Sequence, residues 1–263
     1  MHHHHLGLDV GYSTVAMASV RHLRKAPITE TIVDFRIMPS ADFQPDSLHR
    51  APSLVGPDYP KALRPQATEA RVDFKGPTAA ASIRDLGFMG LWLKTQDEKT
   101  IAQFRPDGFT LNRLKPYTSW DQLASEALRL WAVYVDLTKP QTVTRLALRY
   151  INHLNLPGPA ADLDAYIIEG PRLPGATQGV ITGFRSQLAL EYPEGQMKAT
   201  VLRVLETSID TAGRSLLFDI DVYRTGPIDP RADTLEAALL GLRDYKNSIF
   251  FEGLTERCVR DFE

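Results

Sequence analysis

Arginine and aspartate recur at two-residue spacing in several segments that read as β-strands. Side chains alternate faces along a strand, so this spacing gathers them on one surface. In Val143–Leu156, Arg145, Ala147, Arg149 and His153 share a face opposite Leu146, Leu148, Tyr150 and Leu154. In Thr29–Pro39, Glu30, Asp34 and Arg36 oppose Val33, Phe35 and Ile37. Near residue 220, Asp219 and Asp221 oppose Phe218, Ile220 and Val222, and Arg185 and Gln187 add to the polar set.

Three kinds of chemistry fit a face lined by both signs of charge. The first is structural: Asp34, Asp219 and Asp221 pair across strands with Arg36, Arg145 and Arg149, each exposed pair worth about 0.2–1 kcal/mol. The second is recognition of a partner protein or an anionic ligand, with Arg145, Arg149 and His153 as anchors and Asp34 and Arg36 beside them. Guanidinium groups pair carboxylates and phosphates in two-pronged fashion. The third is a metal-dependent active site. An Asp-x-Asp pair puts the Asp219 and Asp221 carboxylates on one strand face roughly 6–7 Å apart, which holds Mg²⁺ only with further ligands.

Other reactive residues carry weaker signals. Cys258 sits beside Arg257 and Arg260 with no histidine nearby, and reads as a packed core thiol. Trp92, Trp120 and Trp131 have the chemistry of base-stacking platforms, yet Trp120 and Trp131 fall in a helix where core packing is expected. The sequence holds no Gly-x-Ser-x-Gly elbow, no Gly-x-x-x-x-Gly-Lys phosphate loop and no His-Glu-x-x-His pair.

The elements that position these residues follow from periodicity. Short helices are expected at Asp42–Leu48 and Ala161–Ile168. Strand-like pieces lie near Ala70–Phe74, Gly87–Lys94, Thr100–Arg105 and Phe109–Leu111, then at Phe184–Tyr192, Lys198–Glu206 and Ser215–Arg224. Ser119 with Gln122 forms a capping box ahead of a helix carrying Leu123, Ala127, Leu130, Trp131, Tyr134 and Val135 at helical spacing. Asp233 with Glu236 is expected to cap a second helix, Leu235 to Phe251, with Leu235, Ala238, Leu239, Leu242, Tyr245 and Ile249 on one side. A last helical turn is expected within Leu254–Phe262. Leu123, Leu130, Trp131, Leu148, Phe218 and Leu239 should be buried.

Each half thus reads strand, short helix, antiparallel strands, helix. The expected fold is α+β, two similar halves at 17–139 and 140–263, each a curved antiparallel sheet packed on a long helix. The layout resembles the repeats of TBP-like and helix-grip folds. In both halves a Pro-rich segment follows the short helix, Arg50–Gln66 and Pro157–Gly183, and such loops often carry recognition.

Composition narrows the function classes. The chain has 263 residues, with 30 Lys and Arg against 32 Asp and Glu, a net charge of −2. That balance argues against coating nucleic acid by bulk electrostatics. One cysteine forms no internal disulfide or thiolate metal cluster. No apolar run is long enough to span a membrane. With no secretory signal in view, the expectation is a cytoplasmic protein without cofactor. The histidine run after Met1 marks residues 1–16 as a tag or disordered leader. Within it, Leu6-Gly7-Leu8-Asp9-Val10-Gly11 resembles the first phosphate loop of actin-like ATPases, but one such loop does not close a nucleotide site, and no glycine-rich adenosine motif comes later.

Several stretches carry a closer likeness. They are Ala26–Glu30, Phe104–Phe109, Leu114–Trp120, Arg145–Asn152, Leu217–Val222 and Lys246–Phe251. Over about 27–262 the chain resembles a sporadically distributed bacterial family with no established activity. That resemblance implies an accessory role such as phage defence or toxin control, and assigns no catalytic residue. The reading favoured from sequence is therefore a non-enzymatic binding or scaffold protein acting through its polar sheet face. Its expected partner is another protein or a second copy of itself, with nucleic acid less favoured. The alternative is a metal-dependent nucleic-acid-processing enzyme using Asp219 and Asp221.

Overall fold

A computed structural model describes residues 21, 23–75, 78–156, 163–175, 178–192, 194, 196–207 and 214–263. Residues 1–16, with the Asp9–Gly11 loop, lie outside the described residues. The fold is α+β. In chain order the strands are β1 (Ile28–Met38), β2 (Lys61–Leu63), β3 (Gln66–Lys75), β4 (Thr78–Phe88), β5 (Leu91–Lys94), β6 (Thr100–Arg105), β7 (Gly108–Leu114), β8 (Thr142–Leu156), β9 (Phe184–Tyr192), β10 (Met197–Thr207) and β11 (Arg214–Ile228). The α-helices are α1 (Ala51–Val55), α2 (Trp120–Thr138), α3 (Ala232–Glu252) and α4 (Glu256–Arg260).

Nine strands form one antiparallel sheet in the order β2-β5-β6-β7-β1-β8-β11-β10-β9, and β3 pairs with β4 in a separate hairpin. Strands from both expected halves therefore meet in one sheet, joined where β1 pairs with β8. One continuous hydrophobic cluster packs beneath it.

Burial alternates along β1 and β8 as the sequence pattern requires. Val33, Phe35, Leu146, Leu148 and Tyr150 turn inward, and Arg36, Arg145 and Arg149 turn to the half-buried face. All six residues expected in the core are buried: Leu123, Leu130, Trp131, Leu148, Phe218 and Leu239. The inward face is strongly aromatic. Phe35 stacks on Trp131 at 4.6 Å between ring centres, and Trp131 stacks on Tyr134 at 5.4 Å. Buried polar tips find partners: Trp131 Nε1–H donates to the Pro230 carbonyl at 2.9 Å, and Tyr134 O–H donates to the Arg105 carbonyl at 2.8 Å. Each fully buried aromatic or large aliphatic contributes roughly 1.5–3 kcal/mol of transfer free energy.

The helix starts obey different rules. Ser119 caps α2, accepting the Gln122 N–H at 3.3 Å, as the capping box predicts. Helix α3 corrects the expectation of an Asp233 cap. It begins earlier, with Arg231 at the cap position and no side-chain cap. Asp229 accepts the Arg231 N–H at 3.0 Å, which turns the chain into the helix before Asp233 is reached. The expected short helices also shift. A 3-10 turn at Pro45–Arg50 leads into α1, and the second is a single 3-10 turn at Leu163–Ala165.

The tight turn between β6 and β7 sets how closely the polar side chains of β1 and β7 approach. Gly108 lies directly opposite Arg36, and a Cβ there would sit 2.1 Å from the Phe35 carbonyl oxygen. Only glycine allows the backbones this close. Gly108→Ala should therefore push β7 off β1 and lower unfolding stability by about 1–3 kcal/mol in urea titration. An unchanged midpoint would contradict that close approach.

Candidate functional site

The polar face of the sheet centres on Asp34 of β1. It is buried, and four donors from four strands converge on its carboxylate. Thr110 O–H donates to Oδ1 at 2.6 Å and Arg105 Nη2 at 3.0 Å. Arg36 Nε donates to Oδ2 at 3.2 Å and Arg145 Nη1 at 3.4 Å. Pairing register makes this possible. Thr110 on β7 and Ala147 on β8 flank Asp34 directly, and the small Ala147 leaves room for long neighbours to fold over it. Burial would push the Asp34 carboxyl up. The Thr110 hydrogen bond and the charges of Arg36 and Arg105 outweigh it, and hold the group below the usual carboxylate range.

From Asp34 the charges run outward as a ladder. Arg36 and Arg105 both also reach Asp107 at the β6–β7 turn, Arg105 through Nε at 3.1 Å. On the other side Arg145 bridges Asp34 to Asp221, with Nη2 donating to Asp221 Oδ2 at 2.8 Å. Its guanidinium also lies over the Tyr223 ring, 4.6 Å from the centroid. Arg149 clamps Asp219 in two-pronged fashion, Nε–Oδ1 at 2.8 Å and Nη2–Oδ2 at 2.5 Å. Beside the ladder, Gln103 donates to Asn112, which donates to Glu30. Part of this set lines an open depression of about 280 Å³, bordered by Asp34, Arg105, Asn112, Arg145, Arg149 and Asp221.

Of the residues singled out from sequence, Asp34, Arg36, Arg145, Arg149, Asp219 and Asp221 are brought together. His153 is not. It shares the face with Arg149 but stands four residues along β8, roughly 13 Å away. It is exposed there, with its Nδ1 3.5 Å from Ser215 Oγ. The metal reading of Asp219 and Asp221 also loses its geometry. The Asp219 side chain is 8% exposed and both its oxygens are taken by Arg149, while Asp221 is held by Arg145. A guanidinium already supplies the positive charge a cation would bring. Among the described residues no group of three or more His, Cys, Asp or Glu side chains is placed to hold a metal. Burial pushes the Asp221 carboxyl above its ordinary value, and Arg145 and Arg149 offset this only in part.

Arg105, Asp107 and Thr110 complete the ladder and are not among the residues that sequence singles out. The alternation of Thr100–Arg105 puts Arg105 on the polar face. What sequence does not show is that β6 and β7 lie on the Asp34 side of β1. The other reactive candidates settle as core or edge. Cys258 is buried, and burial pushes its thiol up to about 11. Trp131 is buried, Trp120 partly so, and Trp92 lies exposed on β5.

Asp34→Asn should cost about 2–4 kcal/mol at neutral pH, because it discharges the acceptor on which three guanidinium groups converge. A depressed folded pKa stabilises only above the unfolded carboxylate value, about 3.9, and that stabilisation is lost as pH falls through the lower folded value. The gap between parent and variant, read by urea unfolding, should therefore be flat above about pH 5 and narrow below pH 4. A gap that widens in acid would contradict the assignment.

Compared with protein-family models and with curated proteins, the chain matches none.

Proposed function

We propose that this chain is a non-enzymatic binding or scaffold protein that recognises another protein through the polar face of its sheet. The observation that carries this reading is the internal balance of the ladder. Arg36, Arg105, Arg145 and Arg149 face Asp34, Asp107, Asp219 and Asp221, so each sign is already matched. A polyanion such as nucleic acid is best held by an excess of free cations, which release counterions from its phosphates. A balanced, pre-ordered lattice suits a surface that is itself mixed in charge. It supplies orientation and rejects partners with mismatched charge.

Exposure supports the same reading. Arg36 and Arg149 side chains are each 42% exposed, so parts of the ladder present donors to an incoming partner while Asp34 and Asp219 beneath them stay buried and Asp107 stands exposed at the β6–β7 turn. Their geometry is fixed before contact, which lowers the entropy cost of ordering them on binding.

We further propose that the sheet arose from two similar halves, 17–139 and 140–263. Support comes from the strand order outward from the β1–β8 pair. On one side come β7, β6 and β5; on the other come β11, β10 and β9. In each direction the last strand before the helix lies next to the first strand of its half. A duplicated sheet of this kind creates one extended polar face from two smaller ones. The resemblance to a sporadically distributed bacterial family supplies the setting we propose, an accessory system such as phage defence or toxin control.

The test is recovery of the untagged protein from its native host. A specific partner should co-purify with the parent and with Arg231→Ala, a surface control at the start of α3. It should be lost with Arg149→Ala while the variant still melts cooperatively. Retention of the partner by Arg149→Ala, or recovery of nucleic acid in its place, would contradict the reading.

A further inference from the structure

On the opposite side of the sheet, a second cavity of about 260 Å³ opens between β8, the start of α2 and the end of α3. Its floor contains a lysine in a core position. Lys246 is buried, on the same stripe of α3 as Leu235, Leu239, Leu242 and Phe250. Its ammonium lies 4.0 Å from the centre of the Tyr150 ring and donates to Asn247 Oδ1 at 2.5 Å. Arg243, one turn earlier, lies over the Trp120 ring at 5.6 Å. Among the described residues neither cation has a carboxylate within salt-bridge distance. A buried, unpaired ammonium is costly, and such groups concentrate at functional sites.

The other groups facing the cavity do not cancel this charge. Arg21 is bound to Glu256 and Glu263. Asp121, on the first turn of α2, is exposed. Asp244 neighbours Lys246 on α3 and raises its basicity, but burial and the Arg243 charge outweigh it. Tyr150 and Tyr117 hold each other's hydroxyls at 3.2 Å, and burial keeps both neutral well above pH 7. The walls are aromatic: Tyr117, Trp120, Tyr150, Phe250 and Phe251.

We propose that this cavity binds a small planar organic anion, an aromatic carboxylate, with its ring among the aromatic walls and its carboxylate between Lys246 and Arg243. Two cations without a carboxylate call for an anion, and the aromatic side chains within an otherwise mainly polar lining call for a ring. The cavity is small, just below the usual size range of ligand pockets, which suits a single-ring ligand. The site lies on the helix-covered face and stands or falls independently of the polar-face reading.

Burial, with the Arg243 charge, lowers the Lys246 ammonium to about 7 in the free protein. Binding an anion favours the charged amine, so affinity must fall as pH rises through that value. Benzoate, which stays ionised throughout, serves as the probe, with calorimetric titration of the full chain. Binding should be about tenfold weaker at pH 8 than at pH 6. Acetate, lacking the ring, and benzyl alcohol, lacking the charge, should each bind at least tenfold more weakly than benzoate at pH 6. Lys246→Met fills the same volume without charge and should remove the pH step. Arg243→Gln, on a less buried part of the helix, should weaken binding several-fold and leave the step in place. No benzoate binding at millimolar concentration, equal binding of acetate, or a pH-independent affinity in the parent protein would each overturn the proposal.

Discussion

A buried carboxylate in the middle of a β-sheet sets the terms for the rest of this structure. Asp34 lies where β1 meets β7 and β8, with little access to water. An isolated charge there would cost several kcal/mol, so the surroundings must either neutralise it or surround it with donors. The fold does the second, drawing on Thr110, Arg105, Arg36 and Arg145. Each arginine thus recruited needs a second acceptor, which brings in Asp107 and Asp221. Arg149 and Asp219 extend the same logic further along β8 and β11. The ladder is therefore one coupled unit running from β6 across β7, β1 and β8 to β11. The Gly108 turn that brings β7 close to β1 belongs to it.

The two faces of the sheet solve opposite problems. On the polar face every cation of the ladder has an anion. On the helix-covered face, Lys246 and Arg243 have aromatic rings instead of carboxylates. A ring face offers only part of the stabilisation of an ion pair. This contrast separates a surface whose charges are matched within the chain from a cavity whose cations meet aromatic rings and an amide.

Much of this is legible in the sequence, for physical reasons that differ by element. Strand β8 and its inward and outward faces follow from strict alternation in Val143–Leu156. Helix α2 follows from Ser119 and Gln122, a local signal needing no tertiary information. Lys246 escapes a reading of the apolar stripe because Tyr245 and Ile249 also fit it. The structure places Tyr245 and Ile249 at its half-buried margin and Lys246 within it. The spacing of Leu235, Leu239 and Leu242 carries that signal, since four residues on from Leu242 falls a lysine. Sheet order is the least legible feature. Nothing local in Thr100–Arg105 says that β6 lies two strands from Asp34, because strand pairing is set by contacts distant in sequence. Alternation alone puts the carboxylates of Asp219 and Asp221 on one face, but their arginine partners depend on the diagonal register between β8 and β11.

Coupling is what distinguishes a charge network on the polar face from a set of independent surface pairs. A double-mutant cycle between Asp34 and Arg105, using Asp34→Ala and Arg105→Met in urea unfolding at neutral pH, measures this directly. The ladder predicts a coupling energy of about 1.5–3 kcal/mol, the range for a charged hydrogen bond in a buried network. Additive losses, with coupling within about 0.5 kcal/mol of zero, would contradict it.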